Sequence, residues 1–232
     1  MKKPSLPKIR SQRTSQFTAR LQRLQWRVKT KSLGFAKRTL DLCVVVPGLL
    51  LLLPVLAMVA LAIRLQDGGP VFYWQSRVGQ RGREFRFPKF RSMCVNASAV
   101  RLDIEALNQH GTDGVTFKMK HDPRITPIGR ILRRFSIDEL PQLWCVLRGD
   151  MSLVGPRPPL PSEVSRYTLR DRERLSVEPG LTCIWQVNGR SEIPFDQQVD
   201  MDIDYIHQRS LKTDIKLLAK TASAVVRGTG AY

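Results

Sequence analysis

The sequence predicts an α+β protein: a mostly helical domain with a short β-hairpin follows an N-terminal membrane helix that is re-entrant and broken by proline. Three observations predict this class. An uncharged apolar run covers residues 42–63, two short runs of β-type residues flank a glycine-containing turn, and helical stretches follow them. The length of 232 residues suits one domain with extensions.

The positive charge of the chain is concentrated at its N-terminus. The net charge is +18, and residues 1–40 contain twelve Lys and Arg residues and no acid. A cationic arm of this kind is attracted to polyanions, meaning nucleic acid or an anionic membrane leaflet. Residues 1–36 are predicted to form a basic amphipathic arm on the membrane surface, because one helical face is apolar and the others are basic. The apolar face contains Phe17, Leu21, Leu24 and Val28.

The apolar run is long enough to cross a bilayer, but its composition favours another path. As a helix, residues 42–63 would extend about 33 Å. Pro54 lies near the middle of the run and Pro47 precedes it, and an interior proline kinks a helix. Basic residues flank both ends, and basic flanks prefer the cytoplasmic side. Residues 37–66 are therefore predicted to dip into one leaflet and return. An ordinary kinked spanning helix and a buried core helix are the alternatives.

Residues 67–232 are predicted to form the domain that faces the cytosol. Residues 71–75 and 84–87 read as the two strands of a hairpin, and helices are predicted over 101–110, 161–174 and 211–227. The four cysteines show no C-x-x-C spacing and the chain has three histidines, which argues against a zinc site, a disulfide framework and histidine chemistry.

Two adjacent acids, Asp138 and Glu139, lie in the stretch SIDELPQLWCVLRGDMSLVGPRP. The spacing of Ser136 and Glu139 matches a capping box, which would make the pair structural. Pro141 complicates this interpretation. With Ser136 as the N-cap, Pro141 would remove an intrahelical hydrogen bond, whereas with Asp138 as the N-cap none is lost. The pattern places the acids at a helix start and leaves the capping residue open between Ser136 and Asp138.

Basic residues near this acid pair in the sequence indicate an anionic ligand. A helix start favours anions, guanidinium groups bind phosphates in a bidentate manner, and carboxylates beside phosphates call for a hard cation such as Mg²⁺. The prolines on either side of Arg157 restrict where its side chain points. Together these features predict diphosphate chemistry at a membrane surface. The basic residues concerned are Lys89, Arg91, Arg130, Arg133, Arg134, Arg148 and Arg157.

From about residue 37 to residue 232 the chain resembles the bacterial sugar transferases, the monotopic polyprenyl-phosphate phosphoglycosyl transferases, in their minimal form without an N-terminal multi-span domain. The resemblance implies transfer of a sugar-1-phosphate from a UDP-sugar to undecaprenyl phosphate, with release of UMP. The product begins an exopolysaccharide, capsule, O-antigen or glycoconjugate. The matching motifs are KRTLDL, GGPVFYWQSRVG, KFRSM, DPRITPIGRILRR, SIDELPQLWCVLRGDMSLVGPRP, EPGLTCIWQVNGR and DIDYI.

The resemblance also implies roles for particular residues. Asp138 would be the nucleophile that forms a covalent phosphosugar intermediate. Glu139 would assist the second step by orienting or deprotonating the lipid phosphate or by helping to hold the metal, and Asp138 and Glu139 are the predicted Mg²⁺ ligands. Arg133 and Arg157 would bind phosphates. A hydrogen-bonded loop is an equal alternative to ligand binding for the residues of WQVNGR. The predicted substrate-binding residues are Lys89, Arg91, Arg133, Arg157, Pro158, Gln186, Asn188 and Arg190.

The expected partners are a UDP-sugar donor, a polyprenyl phosphate acceptor and an anionic bilayer, without nucleic acid; a homodimer is left open. The expected location is the bacterial inner membrane, with the active site facing the cytoplasm. Two rival functions remain at this point. One is a membrane-anchored nucleic-acid-binding protein, which explains the charge but leaves Asp138, Glu139 and Arg157 without a role. The other is a metal-dependent diphosphate hydrolase with water as the acceptor. Nucleotide release that requires a lipid phosphate separates all three.

Overall fold

The computed structural model describes the backbone of residues 10–95, 97, 122–189 and 193–227, and side chains between residues 33 and 224 within those ranges. The described part is mostly helical with two small sheets, as the sequence predicts. Its α-helices are α1 (Arg10–Asp67), α2 (Pro127–Arg134), α3 (Leu143–Arg148), α4 (Pro161–Val164), α5 (Ile184–Asn188), α6 (Phe195–Gln208) and α7 (Leu211–Arg227). Its strands are β1 (Phe72–Val78), β2 (Glu84–Phe90), β3 (Ser152–Val154) and β4 (Gly180–Thr182), and its 3₁₀ helices are η1 (Gln80–Gly82), η2 (Ile137–Gln142) and η3 (Asp171–Ser176).

Helix α1 contains the predicted membrane segment. Its part Leu33–Asp67 is long and apolar enough to cross a membrane by length and composition. The helix continues through Pro47 and Pro54, so the predicted break at proline is not seen. The re-entrant path stays a prediction. The side chains of the predicted surface arm up to residue 32 lie outside the described residues. The chain divides into two compact units, residues 1–40 and residues 41–232.

Within the second unit, the apolar part of α1 has one face packed on the body and one face exposed. The packed side chains recur every three or four residues, as one face of a helix requires. Asp41, at the beginning of this stretch, is buried and accepts a hydrogen bond from the backbone N–H of Leu153 at 3.1 Å. The packed face contains Val45, Leu49, Leu52, Leu56, Val59, Ala60 and Ile63. The exposed face contains Val44, Val46, Leu50, Leu51, Leu53, Met58 and Leu61.

The hairpin predicted from the sequence is confirmed. Strands β1 and β2 pair antiparallel, and the register places Arg77 opposite Phe85 and Gln75 opposite Phe87. The turn is tight: Arg81 and Gly82 both have positive φ angles, of 58° and 80°. Phe85 and Phe87 point into the core, where they pack with residues of α3, β3, α6 and α7. The hairpin thus presents one buried face to the rest of the body.

Strands β3 and β4 form a separate parallel pair, with Ser152 opposite Gly180 and Val154 opposite Thr182. The backbones are unusually close just after β3. A Cβ atom on Gly180 would lie 2.0 Å from the backbone nitrogen of Gly155, so only glycine fits there. This contact sets the start of the loop that carries Arg157.

The helix predicted over residues 161–174 is wrong in its extent. Helix α4 ends at Val164, and the chain becomes helical again only in η3. Local side-chain hydrogen bonds explain the break, because they compete with a continuous helix. The Asp171 carboxylate accepts from the backbone N–H of Thr168 at 2.8 Å, and the Thr168 hydroxyl accepts from the backbone N–H of Asp171 at 3.3 Å. The helix predicted over 211–227 is confirmed as α7, and the one over 101–110 lies outside the described residues.

Helix α2 packs directly on the backbone that follows the hairpin. Thr126 caps the helix, since its hydroxyl accepts a hydrogen bond from the backbone N–H of Gly129 at 2.9 Å. A Cβ atom on Gly129 would lie 1.9 Å from the carbonyl oxygen of Ser92. Because that neighbour is backbone, neither side can move without breaking the contact.

We therefore predict that Gly129→Ala lowers the free energy of unfolding by about 3 kcal/mol, the upper end of the usual cost of overpacking. Chemical denaturation of the purified protein in detergent measures this change. Gly48→Ala is the matched control, because no atom lies within 4 Å of its added Cβ. Equal midpoints for Gly129→Ala and the unchanged protein would contradict the packing argument.

Candidate active site

The acid pair lies in the 3₁₀ helix η2 rather than at the start of a regular helix. Ser136 precedes η2 with a φ angle of 55° and makes no side-chain capping hydrogen bond. The capping box is therefore absent, and the Glu139 side chain is available for another partner. Asp138 is 7% exposed. The two neighbouring carboxylates thus have different surroundings.

Glu139 forms an ion pair with Lys89 of β2. The Lys89 ammonium donates to Glu139 Oε1 at 2.7 Å. Burial raises the pKa of Glu139, but the positive charges of Lys89, Arg157 and Arg77 together lower it by more. The net result is a pKa of about 2. Glu139 is consequently ionised throughout the physiological pH range.

Asp138 has the opposite tendency. Burial raises the pKa of its carboxyl group, and the neighbouring Glu139 charge adds to this effect, while Lys89 and Arg133 oppose it. Two carboxylates whose environments move their pKa values apart can take different chemical roles. The structure therefore places a more basic, buried carboxylate beside a permanently charged one.

Arg77 ties the loop of Arg157 to the hairpin, a contact that the sequence reading missed. Its guanidinium donates to the carbonyl oxygen of Pro158 at 3.0 Å. Burial and the nearby Arg157 charge lower the pKa of Arg77 to about 10. Arg77 and Lys89 lie 5.3 and 5.7 Å from the centre of the same Phe87 ring. Alternation along β1 groups Arg77 with Gln75, and only the pairing with β2 places it on the face of the buried Phe85 and Phe87, so no pattern in the sequence singled out this contact.

Two of the predicted phosphate ligands have different surroundings. Arg133 of α2 is partly buried, donates to the Ser92 hydroxyl at 2.9 Å and interacts electrostatically with both acids; burial is the main cause of the lowered pKa of its guanidinium. Arg91 instead pairs with Asp67 at 2.6 Å and donates to the carbonyl oxygen of Pro70 at 2.6 Å. The structure therefore joins Arg91 to the end of α1 rather than to the acid pair.

The other predicted ligands lie on the Arg157 loop and on α5. Pro158 is buried, and its carbonyl oxygen accepts from Arg77. Gln186 is in α5 with a buried side-chain oxygen that has no hydrogen-bond partner in the part of the chain that the structure describes, and Asn188 ends that helix. Arg190 lies outside the described residues. The Arg157 guanidinium lies 6.0 Å from the centre of the Trp185 ring, which joins the loop to α5.

Positive charge exceeds negative charge around the acid pair. Each of four basic side chains interacts electrostatically with at least one of the two carboxylates. Of the four, only Lys89 takes part in a salt bridge found among the described residues. Clustered cations that are partly removed from water repel one another, so a bound anion would stabilise them. The four are Arg77, Lys89, Arg133 and Arg157.

The residues present can hold a divalent cation only with help from a ligand. Within the described ranges, no three His, Cys, Asp or Glu side chains group into a metal site. Mg²⁺, however, usually takes one or two carboxylates together with substrate phosphates and water. Asp138 and Glu139 fit that mode, because a bound diphosphate would complete the oxygen ligands.

Comparison with known proteins agrees with this chemistry. The family model described as bacterial sugar transferase matches residues 32–228. The galactosyl transferase CpsE of Streptococcus agalactiae serotype III (strain NEM316) is 47% identical over 197 residues, covering 84% of this chain and 43% of CpsE. The undecaprenyl-phosphate galactose phosphotransferase of Salmonella typhimurium (strain LT2) is 41% identical over 214 residues, covering 91% of this chain and 45% of that protein.

A shorter relative matches nearly end to end. The exopolysaccharide production protein ExoY of Rhizobium meliloti (strain 1021) is 36% identical over 201 residues, covering 86% of this chain and 89% of ExoY. The chain therefore spans less than half of the two longer relatives and most of the shorter one. The family model covers most of the chain and includes every described residue of the acid pair and its cations, so this chain belongs to the bacterial sugar transferase family.

Proposed function

We propose that this protein transfers a sugar-1-phosphate from a UDP-sugar to undecaprenyl phosphate. UMP is released, and the polyprenyl diphosphate sugar begins an exopolysaccharide, capsule, O-antigen or glycoconjugate. The observation that carries this proposal is the group of four cations around one ionised and one buried carboxylate. The names of the Salmonella relative and of ExoY support the acceptor and the type of product.

Asp138 is the nucleophile in this proposal. Its carboxylate oxygen forms a bond to the phosphorus next to the sugar, and the bond to the bridging oxygen breaks, so UMP leaves with the electron pair. An oxygen of undecaprenyl phosphate then attacks the same phosphorus. The bond to Asp138 breaks and its carboxylate is restored. The raised pKa of Asp138 supports this role, because a more basic carboxylate is a stronger nucleophile once ionised.

The cations supply binding and charge neutralisation. Arg133 and Arg157 hold the phosphates of the donor, and Arg77 fixes the Arg157 loop through the carbonyl oxygen of Pro158. Glu139 is ionised and already paired with Lys89, so this proposal assigns it no proton transfer. Its charge instead places Lys89 and contributes to cation binding. Mg²⁺, held by Asp138 and Glu139, would neutralise the diphosphate when bound.

For the membrane helix we propose a re-entrant position in the cytoplasmic leaflet of the bacterial inner membrane, with the acid pair facing the cytoplasm. Val45 and Ile63, near opposite ends of the apolar run, both pack against the same body. They are separated by about 27 Å along a helix, close to the full depth of the bilayer core. A helix that crossed the bilayer would carry this charged body into the lipid tails, which supports entry and exit on one side.

We predict that Asp138→Asn abolishes UMP release from every UDP-sugar while the protein folds, since the amide has the same shape but is a poor nucleophile. A panel of UDP-sugars with undecaprenyl phosphate and Mg²⁺ is the assay, and circular dichroism checks folding. Turnover like that of the unchanged protein would rule out Asp138 as the nucleophile. Multiple-turnover UMP release by the unchanged protein that is equally fast without any lipid phosphate would indicate a hydrolase.

The pH dependence of the first step tests the same assignment. Without acceptor, the burst of UMP release should rise with pH through an inflection above 3.8, the ordinary pKa of Asp, because only ionised Asp138 attacks. Lys89→Gln removes a charge that lowers this pKa, so the inflection should move to higher pH. Lys89→Arg, which keeps the charge, is the control. Identical inflections for Lys89→Gln and Lys89→Arg would contradict the electrostatic account.

The topology is tested with protease-sensitive tags at residue 1 and residue 232, in right-side-out and inverted membrane vesicles. We expect both tags to be cleaved only in inverted vesicles, because both ends of a re-entrant segment are cytoplasmic. Cleavage of the two tags from opposite sides would establish a spanning helix.

A further inference from the structure

Arg157 contacts the Trp185 ring, and the proposed mechanism does not explain this contact. No salt bridge found in the described ranges includes Arg157. Its guanidinium faces the ring of Trp185 instead, 6.0 Å from the ring centre. A guanidinium at this distance from an indole ring is attracted by the electron-rich face. The position of Arg157 therefore depends on where the Trp185 ring is held.

Trp185 is itself held by a buried ion pair. The indole N–H donates to Asp202 Oδ2 at 3.4 Å, a long hydrogen bond. The same oxygen accepts from Arg174 Nε at 2.8 Å and pairs with Arg174 Nη2 at 2.6 Å. The side chains of Arg174 and Asp202 are only 4% and 1% exposed.

Aromatic side chains enclose Arg174 and keep this pair in one place. Arg174 Nη1 donates to the Tyr167 hydroxyl at 3.1 Å. The guanidinium lies 5.9 Å from the centre of the Tyr167 ring and 5.7 Å from that of Phe195, and the two rings contact each other. A buried ion pair is often no more stabilising than an apolar pair of the same size, so its presence calls for another explanation.

We propose that Asp202 and Arg174 are positioning residues for Arg157. They fix the Trp185 indole, and the indole in turn holds the Arg157 guanidinium where the donor phosphate binds. The inference rests on the proposed transfer activity, because the role of Arg157 is part of it. Among the contacts of the described residues, none joins Arg174 or Asp202 to the acid pair, so we expect their effect to reach the donor through Trp185 and Arg157.

The chain provides a matched control for this proposal. Arg170 and Asp200 form a second ion pair between the same region of η3 and the same helix α6. Their side chains are 61% and 50% exposed, and an exposed pair contributes little to stability. Asp200→Asn therefore removes a similar charge from α6 without affecting Trp185.

We predict that Asp202→Asn lowers kcat/KM for the donor roughly tenfold, the scale of a well-placed cation–π contact. Arg157→Ala, measured alongside, should change the same parameter, kcat or KM, by at least as much. Asp200→Asn should leave both parameters unchanged. Because Asp202→Asn leaves Arg174 without its partner, the double variant Asp202→Leu with Arg174→Met removes both charges and should show the same loss while staying folded.

A double-mutant cycle separates positioning from general destabilisation. Trp185→Phe keeps a ring beside Arg157 but removes the indole N–H that donates a hydrogen bond to Asp202. In that background Asp202→Asn should change donor kcat/KM by less than about twofold, because the two effects share one route. A loss in the Trp185→Phe background as large as in the unchanged background would overturn the proposal. So would an Asp202→Asn variant that, with Trp185 present, loses no more activity than Asp200→Asn.

Fluorescence distinguishes failure of this inference from failure of the proposed function. With Trp26, Trp74 and Trp144 replaced by Phe, the emission reports Trp185 alone, and UDP-galactose and UDP are the probes. Asp202→Asn should shift this emission and reduce its response to UDP, whereas Asp200→Asn should do neither. An unshifted emission with a full response overturns the positioning role. Absence of UMP release by the unchanged protein with every UDP-sugar, despite the expected fluorescence changes, overturns the proposed function alone.

Discussion

The ion pair between Lys89 and Glu139 connects the two parts from which the site is built. Lys89 belongs to the hairpin and Glu139 to η2, and their charged atoms lie 2.7 Å apart. The pair keeps Glu139 ionised and turned toward β2, so the neighbouring carboxylate of Asp138 lies in the buried position. Phe87 lies beside both Lys89 and Arg77 and thereby spaces two like charges around one ring. Everything proposed for the acid pair depends on this division between the two acids.

The distribution of carboxylates separates arginines that pair with an acid from arginines whose hydrogen-bond and ring partners are neutral. Arg91 pairs with Asp67, and Arg174 pairs with Asp202, so these guanidinium groups hold elements together. Arg77, Arg133 and Arg157 instead interact with hydroxyl, carbonyl or aromatic partners. Neutral partners orient a guanidinium without cancelling its charge. The site thus keeps its attraction for a polyanion while its geometry is already fixed.

Local patterns predicted much of this fold, and long-range contacts explain the remainder. The hairpin, the apolar helix and α7 follow from periodicity and turn residues. The helix expected over 161–174 failed because Thr168 and Asp171 bond to each other's backbone. The acids and their basic neighbours were visible as a motif, and their roles remain predictions. The contacts of Arg77 with Pro158 and of Asp202 with Trp185 join distant segments, which no local pattern encodes.

The short parallel pair of β3 and β4 has a consequence for how this site can vary. Arg157 follows the end of β3 and Trp185 follows the end of β4, and the carboxyl ends of parallel strands lie at one edge. The pairing of β3 with β4 thus brings Arg157 close to Trp185, although the two residues are far apart in sequence. The part of the strand connection that follows the Arg157 loop, residues 159–179, can change in sequence on its exposed side. Such changes would not move the contact between Arg157 and Trp185. Diversity in that connection is therefore compatible with an unchanged position of Arg157 beside Trp185.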